Sequence, residues 1–196
     1  MENIFDDLIN SFINNKVGTA DKFINDRLAL ALTQNLQSIF AENKFTAAGT
    51  GHNKGHNLNT LFRGDHIYWL DASHNNAAED EFFILMDAFV KYLNESCYTG
   101  ITSYEFHYTL YGAGTFYKKH LDRFQDNGSR KFSMIMYLNL DWKIEDGGQL
   151  CIQHPDGILN IDPTNGKVVF FNSKEMEHEV LLTNKPRMSI TGWLKG

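Results

Sequence analysis

The sequence predicts a mostly β domain, with helices gathered in the first half and a jelly roll in the second. Helical spacing of apolar residues is confined to roughly the first hundred positions, and the rest reads as short apolar strands separated by turn chemistry. Eight such strands fit the count of a jelly roll. At 196 residues the chain has the size of one ordinary domain, expected to bury about 70% of its unfolded surface. It contains no internal repeat, low-complexity tract or interdomain linker. One domain over 1–196 is therefore expected, with a helical supporting part at 1–100 and the jelly roll at 101–196.

Taken in order, Ile4, Phe5, Leu8, Ile9, Phe12 and Ile13 recur at the spacing of an amphipathic helix. After a short extended stretch, Asn25 or Asp26 can cap a second helix whose apolar face is Leu28, Leu32, Leu36, Ile39 and Phe40. Thr46 to Asn59 dissolves into Gly, Asn and Thr and predicts a loop. A strand around Leu61 to Leu70 precedes a well-buried helix at Glu79 to Asn94. That helix carries Phe82, Phe83, Leu85, Met86, Phe89, Val90 and Leu93, with Glu79, Asp80 and Glu81 as its charged first turn. The strands then run Tyr104–Tyr111, Thr115–Asp122, Lys131–Leu140, Gln149–Gln153, Ile158–Ile161, Val168–Asn172, Glu179–Leu182 and Arg187–Leu194. Asn127-Gly128, Asp146-Gly147-Gly148, Asp156-Gly157 and Asn165-Gly166 are chain-reversing turns between them.

Composition excludes several classes of function. A net charge of -6 argues against general nucleic-acid binding, which needs Lys and Arg to neutralise phosphate. The N-terminus is acidic where a signal peptide would be basic, and no apolar run approaches the ~20 residues of a membrane span. A cytoplasmic location follows as the expectation. Cys97 and Cys151 lack metal-ligand spacing and are too few for a disulfide framework, so two reduced, mostly buried thiols are expected.

The chemistry is concentrated in His120-Leu121-Asp122, His178 and Arg187. Residues i and i+2 of an extended segment point to the same side, so His120 and Asp122 can reach one ion while Leu121 faces away. With His178 arriving from another strand, they form a 2-His-1-carboxylate set, which holds one face of an octahedral iron(II). Arg187 suits a substrate carboxylate, because a fork-shaped guanidinium fixes both position and orientation.

Other candidates carry plainer readings. His52 and His56 sit in a Gly-rich stretch that does not hold their spacing on one face, so they read as solvated loop residues. His66, His74, His107 and His154 have no partner pattern and read as surface or satisfied core positions. Strand tyrosines such as Tyr111, Tyr117 and Tyr137 are ordinarily half-buried packing residues. Arg63 and Asp65 fit a structural ion pair as well as a substrate contact.

Beyond the triad, the run Tyr111-Gly112-Ala113-Gly114-Thr115-Phe116-Tyr117-Lys118-Lys119-His120-Leu121-Asp122 resembles an iron(II) and 2-oxoglutarate dependent dioxygenase of the prolyl 4-hydroxylase type. Within that type it most resembles the prolyl hydroxylases acting on hypoxia-inducible factor and their bacterial relatives. Tyr137-Leu138-Asn139-Leu140-Asp141-Trp142, Gly147-Gly148-Gln149-Leu150 and Phe170-Phe171 to His178 keep the family's order, and Arg63 to Trp69 resembles a segment bordering its substrate cleft. The likeness spans about residues 17 to 194, with a run one residue shorter than in animal enzymes at 111–122. It implies a double-stranded β-helix, cupin-like, with the N-terminal helices on one face and 101–196 as the catalytic core.

The resemblance assigns Fe(II) to His120, Asp122 and His178, and the distal carboxylate of 2-oxoglutarate to Arg187 and Tyr137. It places Tyr111, Thr191 and Trp193 around the cosubstrate, with Ser189 a weaker match, and puts Arg63, Asp65 and Trp69 beside the substrate. It implies O2 as oxidant, ascorbate as a candidate reductant, and succinate and carbon dioxide as products. The expected substrate is a prolyl residue of a protein or peptide, with the loop at 46–59 helping to cover it as a lid. The alternatives are a dioxygenase acting on a small molecule such as a free amino acid, and a non-catalytic metal-binding jelly-roll module.

Overall fold

The computed structural model describes residues 2–49, 61–122 and 129–196. Helix α1 (Glu2–Asn15) leads into β1 (Val17–Ala20), α2 (Asp26–Ala41) and the two-residue β2 (Thr46–Ala47). Strand β3 (Asp65–Trp69) and α3 (Ala77–Cys97) follow. The strand-rich half holds β4 (Ser103–Tyr111), β5 (Tyr117–His120), β6 (Arg130–Tyr137), β7 (Leu150–His154), β8 (Gly157–Ile161), β9 (Val168–Asn172), β10 (His178–Val180) and β11 (Arg187–Lys195). All eight strands expected in the second half are present, with ends shifted by a few residues.

They form a jelly roll of two antiparallel sheets, which is the fold class expected. The major sheet runs β1-β9-β6-β11-β4-β3-β2, and the minor sheet runs β5-β10-β7-β8. Four strands of each sheet are those of the second half. The first hundred residues add β1 at one edge of the major sheet and β3 and β2 at the other. Val17 to Ala20, expected only as an extended stretch, thus pairs with Val168 to Phe171.

Strand alternation divides the apolar residues between two cores. Even-numbered positions of the major sheet, among them Phe106, Tyr108, Met134, Met136, Phe170, Ile190 and Leu194, pack against the helices. Odd-numbered positions, including Tyr111, Ile135, Tyr137, Val169 and Phe171, face Leu150, Ile152 and Val180 of the minor sheet. Both faces are buried, so these strands read as continuous apolar runs. Phe12 of α1 meets Phe132 and Phe170 edge-on. Asn25 is the cap of α2, its side chain accepting from the Leu28 amide at 2.9 Å.

Several local expectations change. Ile13 and Phe40 are exposed rather than buried, and Phe40 packs edge-on against Phe45. The helix expected at Glu79 begins at Ala77, capped by Asn76. Glu79 is consequently turned inward, where it accepts from Asn35 Nδ2 and pairs with His74 Nδ1, each at 2.8 Å. Cys151 is buried as expected, but Cys97, the last residue of α3, is exposed. Thr46 and Ala47, expected in a loop, pair with Ile67 and His66. The rest of that loop from 50, with His52 and His56, and the turn at Asn127-Gly128 lie outside the described residues. Among the described residues, no helix is long and apolar enough to cross a membrane.

Candidate active site

The three candidate metal ligands meet at the mouth between the sheets. His178 opens β10 directly opposite His120, the last residue of β5, and Asp122 follows two residues past that strand's end. His120 Nε2 lies 3.5 Å from Asp122 Oδ1, and His178 Nε2 lies 3.7 Å from Asp122 Oδ2. One ligand atom from each residue falls within 4.8 Å of the others, a spacing that could hold one metal ion.

The surroundings set each ligand in its metal-binding form. His120 Nδ1 donates to the Lys118 carbonyl at 2.7 Å and His178 Nδ1 to the Met176 carbonyl at 2.9 Å. A carbonyl only accepts, so both protons sit on Nδ1 and both Nε2 lone pairs face the centre. Burial pushes the His178 imidazole below its usual range, toward the neutral ligand form. Burial pushes the Asp122 carboxyl up, but the positive charge that His178 and His120 carry when protonated, together with the Ser133 hydroxyl, outweighs it and holds the group well below the usual carboxylate range. The Ser133 hydroxyl donates to Asp122 Oδ2 at 2.7 Å. Tyr117 stacks on the His120 ring with centroids 3.6 Å apart. Two neutral imidazoles and one anion are the donor set that iron(II) sites use.

Deeper in the cleft, β11 and its neighbours supply a carboxylate-binding end. Arg187 lies across from Tyr111 of β4, and Ser189 across from Tyr137 of β6. The Arg187 side chain is buried, with Nε donating to the Gly148 carbonyl at 2.7 Å. Its Cδ packs where a Cβ at Gly148 would stand, at 2.9 Å, and Gly148 also has a φ of +74°, so glycine serves twice here. Arg187 Nη2 and Tyr137 Oη are buried without a protein partner. The guanidinium carbon is 5.0 Å from the Tyr137 ring centre and 5.2 Å from that of Tyr111. Burial pushes the Tyr137 phenol up to about 12, so it stays an O–H donor at neutral pH. A buried cation and a buried hydroxyl donor, both unpaired, fit one carboxylate. That fit is to a ligand such as 2-oxoglutarate.

The cavity is about 400 Å³, and it reaches from Arg187 past the triad to Trp69, Trp193 and Arg63. Arg63 and Asp65 form a two-pronged ion pair, 2.7 Å at Nε and 2.6 Å at Nη2. Arg63 also lies over the Tyr117 ring at 4.2 Å. The Asp65 side chain is fully buried, so the pair shapes the wall. Trp69, 45% exposed, leaves the mouth open. Thr191 Oγ1 lies 3.3 Å from Thr109 Oγ1 and 3.4 Å from Ser189 Oγ. The Arg130 guanidinium sits 3.4 Å above the Trp193 ring.

Sequence reasoning did not single out His107, Thr109, Arg130, Ser133 or Ile135 for the site. Strand alternation could have found two of them, since His107 and Thr109 stand four and two residues before Tyr111 on one face of β4.

A fold of two sheets enclosing a His-Asp-His centre and a buried arginine defines a class, and the comparisons agree with it. Residues 106–195 match the family model described as the 2OG-Fe(II) oxygenase superfamily. A prolyl-4-hydroxylase from Pseudomonas putida is 32% identical over 97% of this chain and 98% of its own, with a TM-score of 0.87. The chain belongs to the 2-oxoglutarate and iron(II) dependent oxygenases, a family of enzymes that use Fe(II), 2-oxoglutarate and O2.

Two more distant structures share the fold. A prolyl hydroxylase from Trichoplax adhaerens, solved with a hypoxia inducible factor oxygen degradation domain peptide fragment, is 22% identical over 99% of this chain and 90% of its own, with a TM-score of 0.88. The non-heme alpha ketoglutarate dependent epimerase SnoN of nogalamycin biosynthesis is 13% identical over 98% of this chain and 82% of its own, with a TM-score of 0.68. The same architecture therefore supports different reactions.

Proposed function

We propose that the protein hydroxylates a prolyl residue of a protein or peptide, in the cytoplasm, with Fe(II), 2-oxoglutarate and O2. The observation that carries this reading is the open mouth beside the triad, where Trp69, Trp193 and the Arg63–Asp65 pair border a channel leading to the metal ligands. The exposed Trp69 ring suits a proline ring on an extended chain, and the similarity to the Pseudomonas putida enzyme points the same way.

His120, Asp122 and His178 would hold the metal. Iron(II) with 2-oxoglutarate and dioxygen supplies the oxidising chemistry, coupling decarboxylation to succinate and carbon dioxide with oxygen insertion at a C–H bond. The chain's own residues do the positioning. Arg187 and Tyr137 would fix the distal carboxylate, and the Gly148 carbonyl holds the guanidinium in place. Tyr111, Thr191 and Trp193 line the space between cosubstrate and substrate, and the Arg63–Asp65 pair keeps the Trp69 side of the mouth in shape.

The test is mass spectrometry of proline-containing peptides, and separately of free amino acids, incubated with Fe(II)-loaded protein and 2-oxoglutarate. Gain of one oxygen on proline within peptides is expected. Oxygenation of free amino acids alone would establish the small-molecule reading. Tight 2-oxoglutarate binding with no turnover on either set would favour the non-catalytic one.

A further inference from the structure

The strand position opposite Thr191 and Trp69 is occupied by His107, whose side chain lines the substrate end of the cleft. It is 4% exposed and wedged among aromatic rings, with its centroid 5.0 Å from Trp69 at 80° and 5.6 Å from Trp193 at 53°.

The hydrogen bonds give the ring a direction. Nδ1 lies 3.1 Å from the Tyr108 carbonyl and 3.0 Å from Thr109 Oγ1. The carbonyl can only accept, so Nδ1 carries the proton and Nε2 carries a lone pair. Nε2 makes no hydrogen bond to any described residue. Burial, with Arg63 and Arg130 nearby, lowers the His107 pKa to about 4, so the ring is neutral at working pH and keeps that lone pair.

We infer that His107 determines specificity by accepting, at Nε2, a hydrogen bond from an N–H or O–H of the substrate beside the hydroxylated proline. A proline within a chain has no N–H, so the donor belongs to a neighbouring residue, as a backbone amide or a polar side chain. The inference rests on the prolyl reading proposed above. His107 touches substrate but none of the reacting atoms, and it acts on which peptide is accepted.

The test uses peptides with one fixed proline, the flanking positions varied over all residue types, and the best peptide remade with each flanking amide N-methylated. Values of kcat/KM are measured for the parent, His107→Phe, which keeps the ring and removes the acceptor, and His107→Gln, which restores an acceptor. Removing one particular donor is expected to cost the parent about tenfold, the worth of one neutral hydrogen bond in a dry site. His107→Phe should lose that discrimination and His107→Gln should retain part of it, with 2-oxoglutarate affinity the same in all three. Equal donor preference in parent and His107→Phe overturns the inference while leaving prolyl hydroxylation standing. A parent indifferent to every donor removal overturns it without reference to any variant. Peptides left unmodified by a parent that binds 2-oxoglutarate overturn the prolyl reading and this inference together.

Discussion

Replacing Arg187 with alanine isolates the cosubstrate end of the cleft from the metal end. In the free protein the guanidinium is buried, donates through Nε to the Gly148 carbonyl, and leaves Nη2 with no partner. No described carboxylate pairs with it. The cation is therefore held ready for an anion, at a cost in desolvation that the bound carboxylate offsets. Without it, a carboxylate entering the same pocket meets the Tyr137 hydroxyl but no counter-charge. Leaving one member of a buried pair uncompensated costs about 3–5 kcal/mol, a rise of roughly two to three and a half orders of magnitude in Kd. The metal-free, ligand-free protein should change in stability by less than about 2 kcal/mol, because the lost packing is offset by the removal of an unpaired buried charge. Calorimetric titration of 2-oxoglutarate into anaerobic protein loaded with Mn(II), with the variant shown to be folded, reads the effect. An affinity within threefold of the parent's would refute the placement of the carboxylate on Arg187.

Four further outcomes follow from the geometry. Asp122→Ala removes the one anionic ligand of the triad and should abolish 2-oxoglutarate turnover, measured as succinate release. Tyr137→Phe removes a single buried donor and should raise the KM for 2-oxoglutarate up to about tenfold, with kcat nearly unchanged. A Cβ at Gly192 would overlap the Glu105 carbonyl and the Phe106 ring of the adjacent strand, so Gly192→Ala should destabilise the fold by about 1–3 kcal/mol in urea denaturation. Burial pushes the Glu105 carboxyl up, but Arg130 at 2.8 Å and Lys195 at 3.0 Å outweigh it and hold the group below its usual range. A carboxyl depressed in the folded state adds stability above its unfolded pKa of about 4.3. That stability is lost as the pH falls through the folded value. Denaturation between pH 3 and 7 should thus show a shallower acid loss for Glu105→Gln, and an unchanged slope would contradict the ion-pair account.

Much of the architecture was legible because short continuous apolar runs and glycine turns are local signals. The glycines at 147, 157 and 166 do adopt positive φ where the strands reverse. Strand partners were not legible, since nothing local in Val17 to Ala20 says that it pairs with a segment some 150 residues away. Burial at helix ends was misjudged for the same reason. Ile13 and Phe40 satisfy the helical period but stand exposed, and Glu79 breaks the period yet is buried because the helix starts two residues earlier than expected. In the site, the His120, Asp122 and His178 set and Arg187 stood out as residue types, and the structure brings them to one cleft. His107 and Ser133 were hidden because a histidine or serine in a strand is common. Its place on the Tyr111 face of β4 and its register against Thr191 put His107 in the cleft, and its contact with Asp122 gives Ser133 a role.

The central claim is that one cleft binds iron(II) through the triad and 2-oxoglutarate through Arg187 at the same time. Its most direct test is an anaerobic optical titration of metal-free protein, adding Fe(II) and then 2-oxoglutarate. A visible charge-transfer band that needs both additions, is absent in Asp122→Ala, and requires far more 2-oxoglutarate in Arg187→Ala is the predicted result. Folded protein that gives no band, or an Asp122→Ala variant that gives the parent's band, would contradict it.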